Sequence, residues 1–151
     1  MDMPILPQDF RDFLKLLNSK KIEYLLIGGY AVGYYGYPRA TADMDIWIAI
    51  GKENAKKITE AIKEFGLNAP DLCEAVFLEP GKIIRMGYPP IRIEVFTEIS
   101  GVNFEECFSR RTETKIDGMK VNLISYEDLL KNKKSSGRYK DLNDLENLRQ
   151  K

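Results

Sequence analysis

Two aspartates one residue apart, Asp43 and Asp45, are the residues of this sequence best suited to chemistry. Met44 and Ile46 alternate with them, and this period of two predicts a strand with one apolar face. Residues two apart on a strand project to the same side, with Cα atoms roughly 6.6 Å apart. The two carboxylates can therefore bind one divalent cation from the same side. The alternative is a pair of solvated aspartates at the start of a strand.

A third carboxylate would complete a site for two metal ions, and Glu94 is our candidate. It lies in segment 91–96, where apolar and charged residues alternate, on the face that the apolar row does not use. The alternative is that Glu94 only pairs with Arg92, its neighbour on that face. Glu79 and Asp71 are weaker candidates, because their local structure is hard to read from the sequence.

A glycine pair, Gly28-Gly29, follows the apolar run Tyr24–Ile27, which reads as a short buried strand. Glycine allows a backbone to approach an anion closely, and a helix that starts there offers free N–H groups. The pair is therefore suited to phosphate, although a tight turn without a ligand explains it equally well. The whole stretch 24–50 thus combines a candidate phosphate site with a candidate metal site.

Composition restricts the chemistry further. The chain has 151 residues, a formal net charge of zero, no histidine and two cysteines. The absence of histidine excludes a Ser-His-Asp triad and histidine-bound zinc, so a metal must be held by oxygen, which favours Mg²⁺ or Mn²⁺. The N-terminus does not resemble a secretory signal and no apolar run reaches the length of a membrane span, so we expect a cytoplasmic protein.

The remaining pattern predicts one domain, residues 1–151, of the α/β (α+β) class, with a small twisted mixed sheet and helices mainly on one side. A helix should start at Pro7-Gln8-Asp9, and a second one should span 52–65 before Gly66. Asp117-Gly118 should turn a hairpin between 112–116 and 120–124. Further elements are expected at 30–35 (helix), 71–77 (short helix), 82–86 (strand), after Ser125 (helix with a capping box) and at 139–150 (helix with Leu142, Leu145 and Leu148 on one stripe).

Three motifs occur in an order that resembles the nucleotidyltransferase (DNA polymerase beta-like) superfamily. They are GGYA at 28–31, RATADMD at 39–45 and KDLNDL at 140–145. The likeness is closest to small bacterial members related to AbiEii-type and other toxin–antitoxin nucleotidyltransferases. It covers most of the chain, and its first two motifs together are fairly specific.

The resemblance implies transfer of a nucleoside monophosphate from a nucleoside triphosphate to a hydroxyl acceptor, with release of pyrophosphate. Gly28 and Gly29 would then bind the triphosphate, and Asp43 and Asp45 would hold the metal ions. Glu94 matches the third carboxylate, which is often an aspartate in relatives. Its longer side chain departs from that pattern and would shift the position of the general base.

Several basic and polar residues are further candidates for the nucleotide site. Thr41 should share a face with Asp43, and Arg39 either neutralises phosphate or pairs with an acid. In the tail, Lys134 or Lys140 would reach the triphosphate, or the basic residues there would guide a polyanionic acceptor such as RNA. Two tail aspartates, Asp141 and Asp144, are expected to pair with nearby lysines. Tyrosines 30, 34, 35 and 37 are able to stack on a base, but packing is the simpler explanation for them.

The acceptor cannot be read from the sequence: transfer RNA, a protein hydroxyl and a small antibiotic all fit. Two other functional classes stay open. One is a catalytically silent nucleotide-binding or antitoxin-like protein of the same fold, with a toxin as its partner in the antitoxin-like case. The other is an interaction domain without a ligand.

Overall fold

The computed structural model describes residues 6–37, 43–66, 72–88 and 90–149. Six helices lie within these ranges: α1 (Gln8–Ser19), α2 (Gly28–Tyr34), α3 (Lys52–Phe65), α4 (Phe104–Ser109), α5 (Tyr126–Ser136) and α6 (Tyr139–Arg149). The six strands are β1 (Tyr24–Ile27), β2 (Asp43–Ile48), β3 (Ile83–Tyr88), β4 (Ile91–Phe96), β5 (Thr112–Ile116) and β6 (Met119–Leu123). A short 3₁₀ helix, Glu74–Leu78, precedes β3.

The strands form one mixed sheet in the order β3-β4-β2-β1-β6-β5. The β2–β4 and β1–β6 pairs are parallel, and the β1–β2, β3–β4 and β5–β6 pairs are antiparallel. The α/β class with a small mixed sheet, predicted from the sequence, is confirmed. The parallel β2–β4 pair is what brings the first and third candidate acids onto neighbouring strands.

The core is built from the apolar faces that the sequence patterns indicate. Helix α1 buries Phe10, Phe13, Leu14 and Leu17. Helix α3 buries Ile58 and Ile62 and ends at Gly66, whose φ of +86° suits glycine. Helix α1 packs on α3 and on β6. These contacts hold the central strands in place from one side.

Two local predictions are confirmed by backbone geometry. The 112–124 hairpin forms, with Asp117 and Gly118 at φ of 50° and 76° in its turn. Helix α5 begins where the capping residue was expected, because the Ser125 hydroxyl accepts a hydrogen bond of 3.1 Å from the backbone N–H of Asp128. The predicted strand 82–86 is present and extends to Tyr88, whereas the predicted helix 71–77 is a 3₁₀ helix that starts later.

The predicted leucine stripe of the last helix is wrong at one position. Leu145 and Leu148 are buried, but Leu142 is 45% exposed. The helix turns a different face inward, because Asp141 and Asp144 share the face of the two buried leucines and are themselves buried. Two charges therefore occupy positions that a purely apolar reading of the helix would give to the core.

In the described ranges, no helix has both the length and the apolar character needed to cross a membrane.

Candidate active site

Three carboxylates converge on one face of the sheet. Oxygen atoms of Asp43, Asp45 and Glu94 all lie within 4.8 Å of one another. The parallel register places Asp45 beside Glu94 and Asp43 beside Arg92, so these side chains project from the same face. The structure thus brings together the three acids that the sequence singles out.

The acids lie where strand β2 changes from half-buried to buried. Asp43 and Asp45 are half-buried, whereas Ile46, Trp47 and Ile48 are buried. The indole of Trp47 packs edge-on against Phe104 of α4, with ring centroids 5.1 Å apart. Both faces of the second half of β2 are therefore covered, and only its first half is open to a ligand. The sequence pattern indicated a single core face and missed this change.

Two arginines hold two of the acids. Arg92 donates two hydrogen bonds to Asp43, from Nε to Oδ1 at 3.0 Å and from Nη2 to Oδ2 at 2.9 Å. Arg85 Nε donates to Glu94 Oε2 at 2.5 Å. The alternative pairing of Glu94 with Arg92 is not what the structure shows, because the antiparallel β3–β4 register places Arg85 directly beside Glu94. These cations offset part of the repulsion among the three carboxylates.

Asp45 has a raised pKa and a buried carboxylate oxygen. Burial raises the pKa of Asp45 to about 7, together with the charges of Glu94 and Asp43, while Lys140 opposes the shift. Its Oδ1 atom is buried and has no hydrogen-bond partner in the part of the chain that the structure describes. A buried, unpartnered carboxylate oxygen between two other acids is the donor set that a hard divalent cation requires. The residues present therefore fit a Mg²⁺ or Mn²⁺ ion.

Two features of the structure require a glycine at position 28: its backbone conformation and the close approach of the Asp45 side chain. It has a φ of +68°, and a Cβ atom there would clash with the Asp45 carboxylate. Helix α2, which starts at Gly28, spans only seven residues, so its dipole adds little to anion binding. Gly28 therefore makes room for the carboxylate, and Gly28 and Gly29 together bring bare backbone to the edge of the adjoining cavity.

That cavity has a volume of about 520 Å³ and adjoins Asp45. Gly28, Gly29 and Asp45 line one part of it, and Ile83 and Phe96 contribute apolar surface. Basic and polar groups from the end of α5, the turn after it and the start of α6 line another part: Asn132, Lys133, Ser136, Arg138 and Lys140. One member of the acidic group, Asp45, thus lines the same cavity as the bare glycine backbone and the basic side chains, a combination suited to a metal-bound polyphosphate.

The structure places the two candidate tail lysines differently. Lys140 lines the cavity, whereas Lys134 is exposed and is not among its lining residues. The neighbouring Lys133 is buried and binds Asp141 at 2.9 Å and Asp144 at 3.3 Å. The expected pairing of these aspartates with a nearby lysine is therefore observed. The candidates Arg39 and Thr41 lie outside the described residues.

The tyrosines after the glycine pair are packing residues. Tyr30 is buried, and the hydroxyls of Tyr34 and Tyr35 lie 3.0 Å from the hydroxyls of Thr114 and Thr112. These contacts join α2 to strand β5, which agrees with the packing role expected of Tyr34 and Tyr35.

Sequence reasoning missed Arg85 and included Arg138 only as one of the basic residues of the tail. Both depend on facts that the sequence does not reveal, namely the register between β3 and β4 and the turn that ends α5 at Gly137. A charged residue within an alternating strand was the only signal for Arg85, and the basic composition of 131–140 was the only signal for Arg138.

Several solved structures that are similar in fold to this chain are described as nucleotidyltransferases or adenylyltransferases. A lincosamide antibiotic adenylyltransferase, LnuA, solved with lincomycin bound, has a TM-score of 0.61 at 18% identity and covers 96% of this chain and 97% of its own. The Thermotoga maritima protein TM1012, assigned as a nucleotidyltransferase, has a TM-score of 0.61 at 16% identity, covering 95% and 89%. ANT(2'')-Ia in complex with adenylyl-2''-tobramycin has a TM-score of 0.60 at 12% identity, covering 92% and 84%. These identities establish the shared fold alone.

No curated protein sequence is significantly similar to the chain. A family profile does match it, over residues 7–151, and is described as "Nucleotidyl transferase of unknown function (DUF2204)". The match spans nearly the whole chain and includes the acids, the glycine pair and the tail motif. The chain belongs to this family of nucleotidyl transferases.

Proposed function

We propose that this protein is a Mg²⁺- or Mn²⁺-dependent nucleotidyltransferase that moves a nucleoside monophosphate from a nucleoside triphosphate to a hydroxyl acceptor and releases pyrophosphate. The observation that carries the proposal is the convergence of Asp43, Asp45 and Glu94, whose oxygens lie within 4.8 Å of one another beside the cavity. Residues 1–151 would act as a single domain.

The three acids would have different roles, which follow from their positions in the site. Asp43 and Asp45 would hold the cations, with Asp45 supplying the buried Oδ1 atom that has no partner among the described residues. Glu94, beside Asp45 in the register, would complete the ligand set and accept the proton of the attacking hydroxyl. When bound, the cations would lower the pKa of that hydroxyl and offset the charge of the phosphates.

The triphosphate would occupy the cavity between the glycine backbone and the basic residues. Gly28 and Gly29 allow close approach of the phosphates, and Lys140 and Arg138 supply positive charge at the same cavity. Lys140 already acts on Asp45, since it lowers the raised pKa of that carboxyl. Arg39 and Thr41 remain candidates on the motif resemblance.

The acceptor is a separate question. LnuA and ANT(2'')-Ia are associated with lincomycin and tobramycin, so a small hydroxyl compound is one acceptor class. An RNA end and a protein hydroxyl are the others. Membership of an AbiEii-like toxin–antitoxin system, with a partner protein, remains a prediction from the motifs, as does a cytoplasmic location.

One observation favours the second candidate function, nucleotide binding without turnover. Arg92 and Arg85 pair with Asp43 and Glu94, so two of the three acids already have cationic partners. Such pairs would let the fold persist without a metal ion. A carboxylate has lone pairs for both an arginine and a cation, however, and this is why transfer remains the main proposal.

A thermal melt with magnesium and each nucleoside triphosphate tests the proposal. Binding to the folded state at a hundredfold excess over Kd stabilises it by about 2.7 kcal/mol. We expect a rise in Tm that needs both metal and nucleotide, together with release of pyrophosphate when an acceptor is present. A Tm that no combination of metal and nucleotide changes would contradict binding, and a shift without pyrophosphate release on any acceptor would favour the silent alternative.

A further inference from the structure

The segment 133–140, from the last turn of α5 to the first turn of α6, contributes basic residues to the lining of the cavity, and we call these residues its cationic wall. Helix α5 ends at Gly137, which has a φ of +66°, and α6 starts at Tyr139. Lys133, Ser136, Arg138 and Lys140 from this segment all line the cavity. The position of this segment therefore decides where positive charge meets a bound phosphate.

One buried carboxylate binds three of these lining residues. Asp141 is 1% exposed and accepts hydrogen bonds from Lys133 Nζ at 2.9 Å, Ser136 Oγ at 2.5 Å and Arg138 Nε at 2.6 Å. Asp141 itself is not among the described residues that line the cavity. It acts on the cavity only through the side chains that it holds.

The charges in this cluster are not equivalent toward a ligand. Lys133 is 5% exposed and lies between two aspartates, Asp141 and Asp144, which compensate its charge. Lys140 is exposed and directly precedes Asp141 on the first turn of α6. Because adjacent helix residues keep a fixed angle, the inward anchoring of Asp141 sets the direction of Lys140.

Other contacts fix the rest of the two helices. Asn132 Nδ2 donates to the carbonyl of Ser100 at 3.0 Å, and Gly101 lies so close to Ser135 that a Cβ atom would clash. These contacts anchor α5. At the far end of α6, the Tyr126 hydroxyl donates to the carbonyl of Leu148 at 3.1 Å. Asp141 ties the first turn of α6 to the end of α5, and the Lys133–Asp144 pair adds a second contact one turn later.

We propose that Asp141 is a positioning residue for the nucleoside triphosphate, which holds Ser136, Arg138 and, through the first turn of α6, Lys140 in the arrangement that binds the phosphates. The proposal rests on the proposed function, because it assumes that the cavity takes a triphosphate. In the KDLNDL motif, Lys140 would then contact the phosphates, and Asp141 would hold Lys140 in the required orientation.

Asp128 provides a matched control. It is also a fully buried aspartate that accepts hydrogen bonds from an arginine and a serine, namely Arg110 at 3.2 and 3.0 Å and Ser125 at 3.0 Å. It does not line the cavity. Asp128→Asn and Asp141→Asn therefore remove the same charge from similar surroundings, but only Asp141→Asn loosens the cationic wall.

Steady-state kinetics with a magnesium nucleoside triphosphate, well below the Tm of both variants, separate the two roles. We expect Asp141→Asn to raise KM for the triphosphate about tenfold, with kcat changed less than about threefold, since tenfold corresponds to one charge-assisted contact. Asp128→Asn should lose similar thermal stability with KM unchanged. Equal effects on KM in the two variants, or none in Asp141→Asn, would overturn the proposal.

Hydrogen exchange gives a readout that needs no nucleotide. Amides of residues 137–142 should lose protection in Asp141→Asn but keep it in Asp128→Asn, and unchanged protection in Asp141→Asn would overturn the proposal. If wild-type protein binds no nucleotide while this contrast holds, the proposed function fails and the anchoring role of Asp141 survives. Should Asp141→Asn not fold, Ser136→Ala removes one of the three hydrogen bonds, and an unchanged KM in that variant counts against the proposal.

Discussion

Asp45 and Glu94 are direct neighbours across the parallel β2–β4 pair. This register brings together two carboxylates from distant parts of the sequence, on the face where Asp43 also projects. Burial and the charges of Glu94 and Asp43 raise the pKa of Asp45 to about 7, so the cluster is electrostatically unfavourable without a cation. A divalent ion bound there would relieve this unfavourable arrangement.

Without a divalent cation, the protein should lose stability as pH rises from about 5 to 8. A carboxyl whose pKa is higher in the folded state stabilises the fold fully below its unfolded pKa, and this contribution is lost as pH rises through the folded value. For Asp45, with a folded pKa of about 7, the loss should be roughly 2 to 4 kcal/mol. Urea unfolding in EDTA at a series of pH values measures it.

Asp45→Asn is the control for this pH dependence. The variant should have a flat profile between pH 5 and 8. Asp141 does not contribute in this window: burial raises its pKa, but hydrogen bonds from Arg138, Ser136 and Lys133 outweigh that effect and lower it to about 2. An equal slope in wild type and Asp45→Asn would show that another group is responsible.

Gly28→Ala should destabilise the protein and weaken metal binding. Its Cβ would clash with the Asp45 carboxylate, and its φ of +68° disfavours alanine. We expect a loss of roughly 1 to 3 kcal/mol in the free energy of unfolding. Gly33→Ala is the matched control within α2, because its Cβ would have open space around it. That change should be neutral or stabilising by up to about 1 kcal/mol; a similar cost at both glycines would contradict the close approach to Asp45.

Arg85→Gln should tighten Mn²⁺ binding a few-fold. Arg85 pairs with Glu94 but is 59% exposed, so the pair adds at most about 1 kcal/mol to stability. Removing this cation leaves the Glu94 carboxylate free to ligate the metal. Titration calorimetry with Mn²⁺ measures the change, and in a Glu94→Gln background Arg85→Gln should have no effect on affinity. Tightening that persists in that background would remove Glu94 from the ligand set.

Lys140→Gln should raise KM for the nucleoside triphosphate about tenfold, because it removes a cation from the cavity wall. Lys134→Gln, the alternative that the sequence leaves open, should change KM less than about twofold, since Lys134 is exposed and outside the lining. The reverse order of effects would mean that α6 presents a different face to the ligand.

The acids could be predicted from the sequence because alternation on a strand reports directly which side chains share a face. Asp43, Asp45 and Glu94 each interrupt an apolar period of two. Their arginine partners could not be predicted in this way, because pairing across strands depends on sheet order. Arg85 contacts Glu94 because β3 pairs with β4 in an antiparallel register that places these two residues side by side.

The tail was the harder part to predict. Periodicity placed Leu142 in the core, but the ion pairs of Lys133 with Asp141 and Asp144 turn the charged face of α6 inward. Charged side chains can be buried when they pair with one another, so the network is stable only when all its members are present. A hydrophobicity scale treats each charged residue separately as exposed and therefore cannot predict such a network. The same network explains why Lys140 and not Lys134 lies at the cavity.

Label transfer from nucleoside triphosphates tests the central claim most directly. Purified protein is incubated with magnesium, a cell extract and each nucleoside triphosphate labelled at the α- or the γ-phosphate. The account predicts an acceptor that gains the α-label and never the γ-label, with transfer lost in EDTA and in folded Asp43→Asn and Asp45→Asn variants. Transfer at the wild-type rate by a folded Asp45→Asn variant would contradict the account.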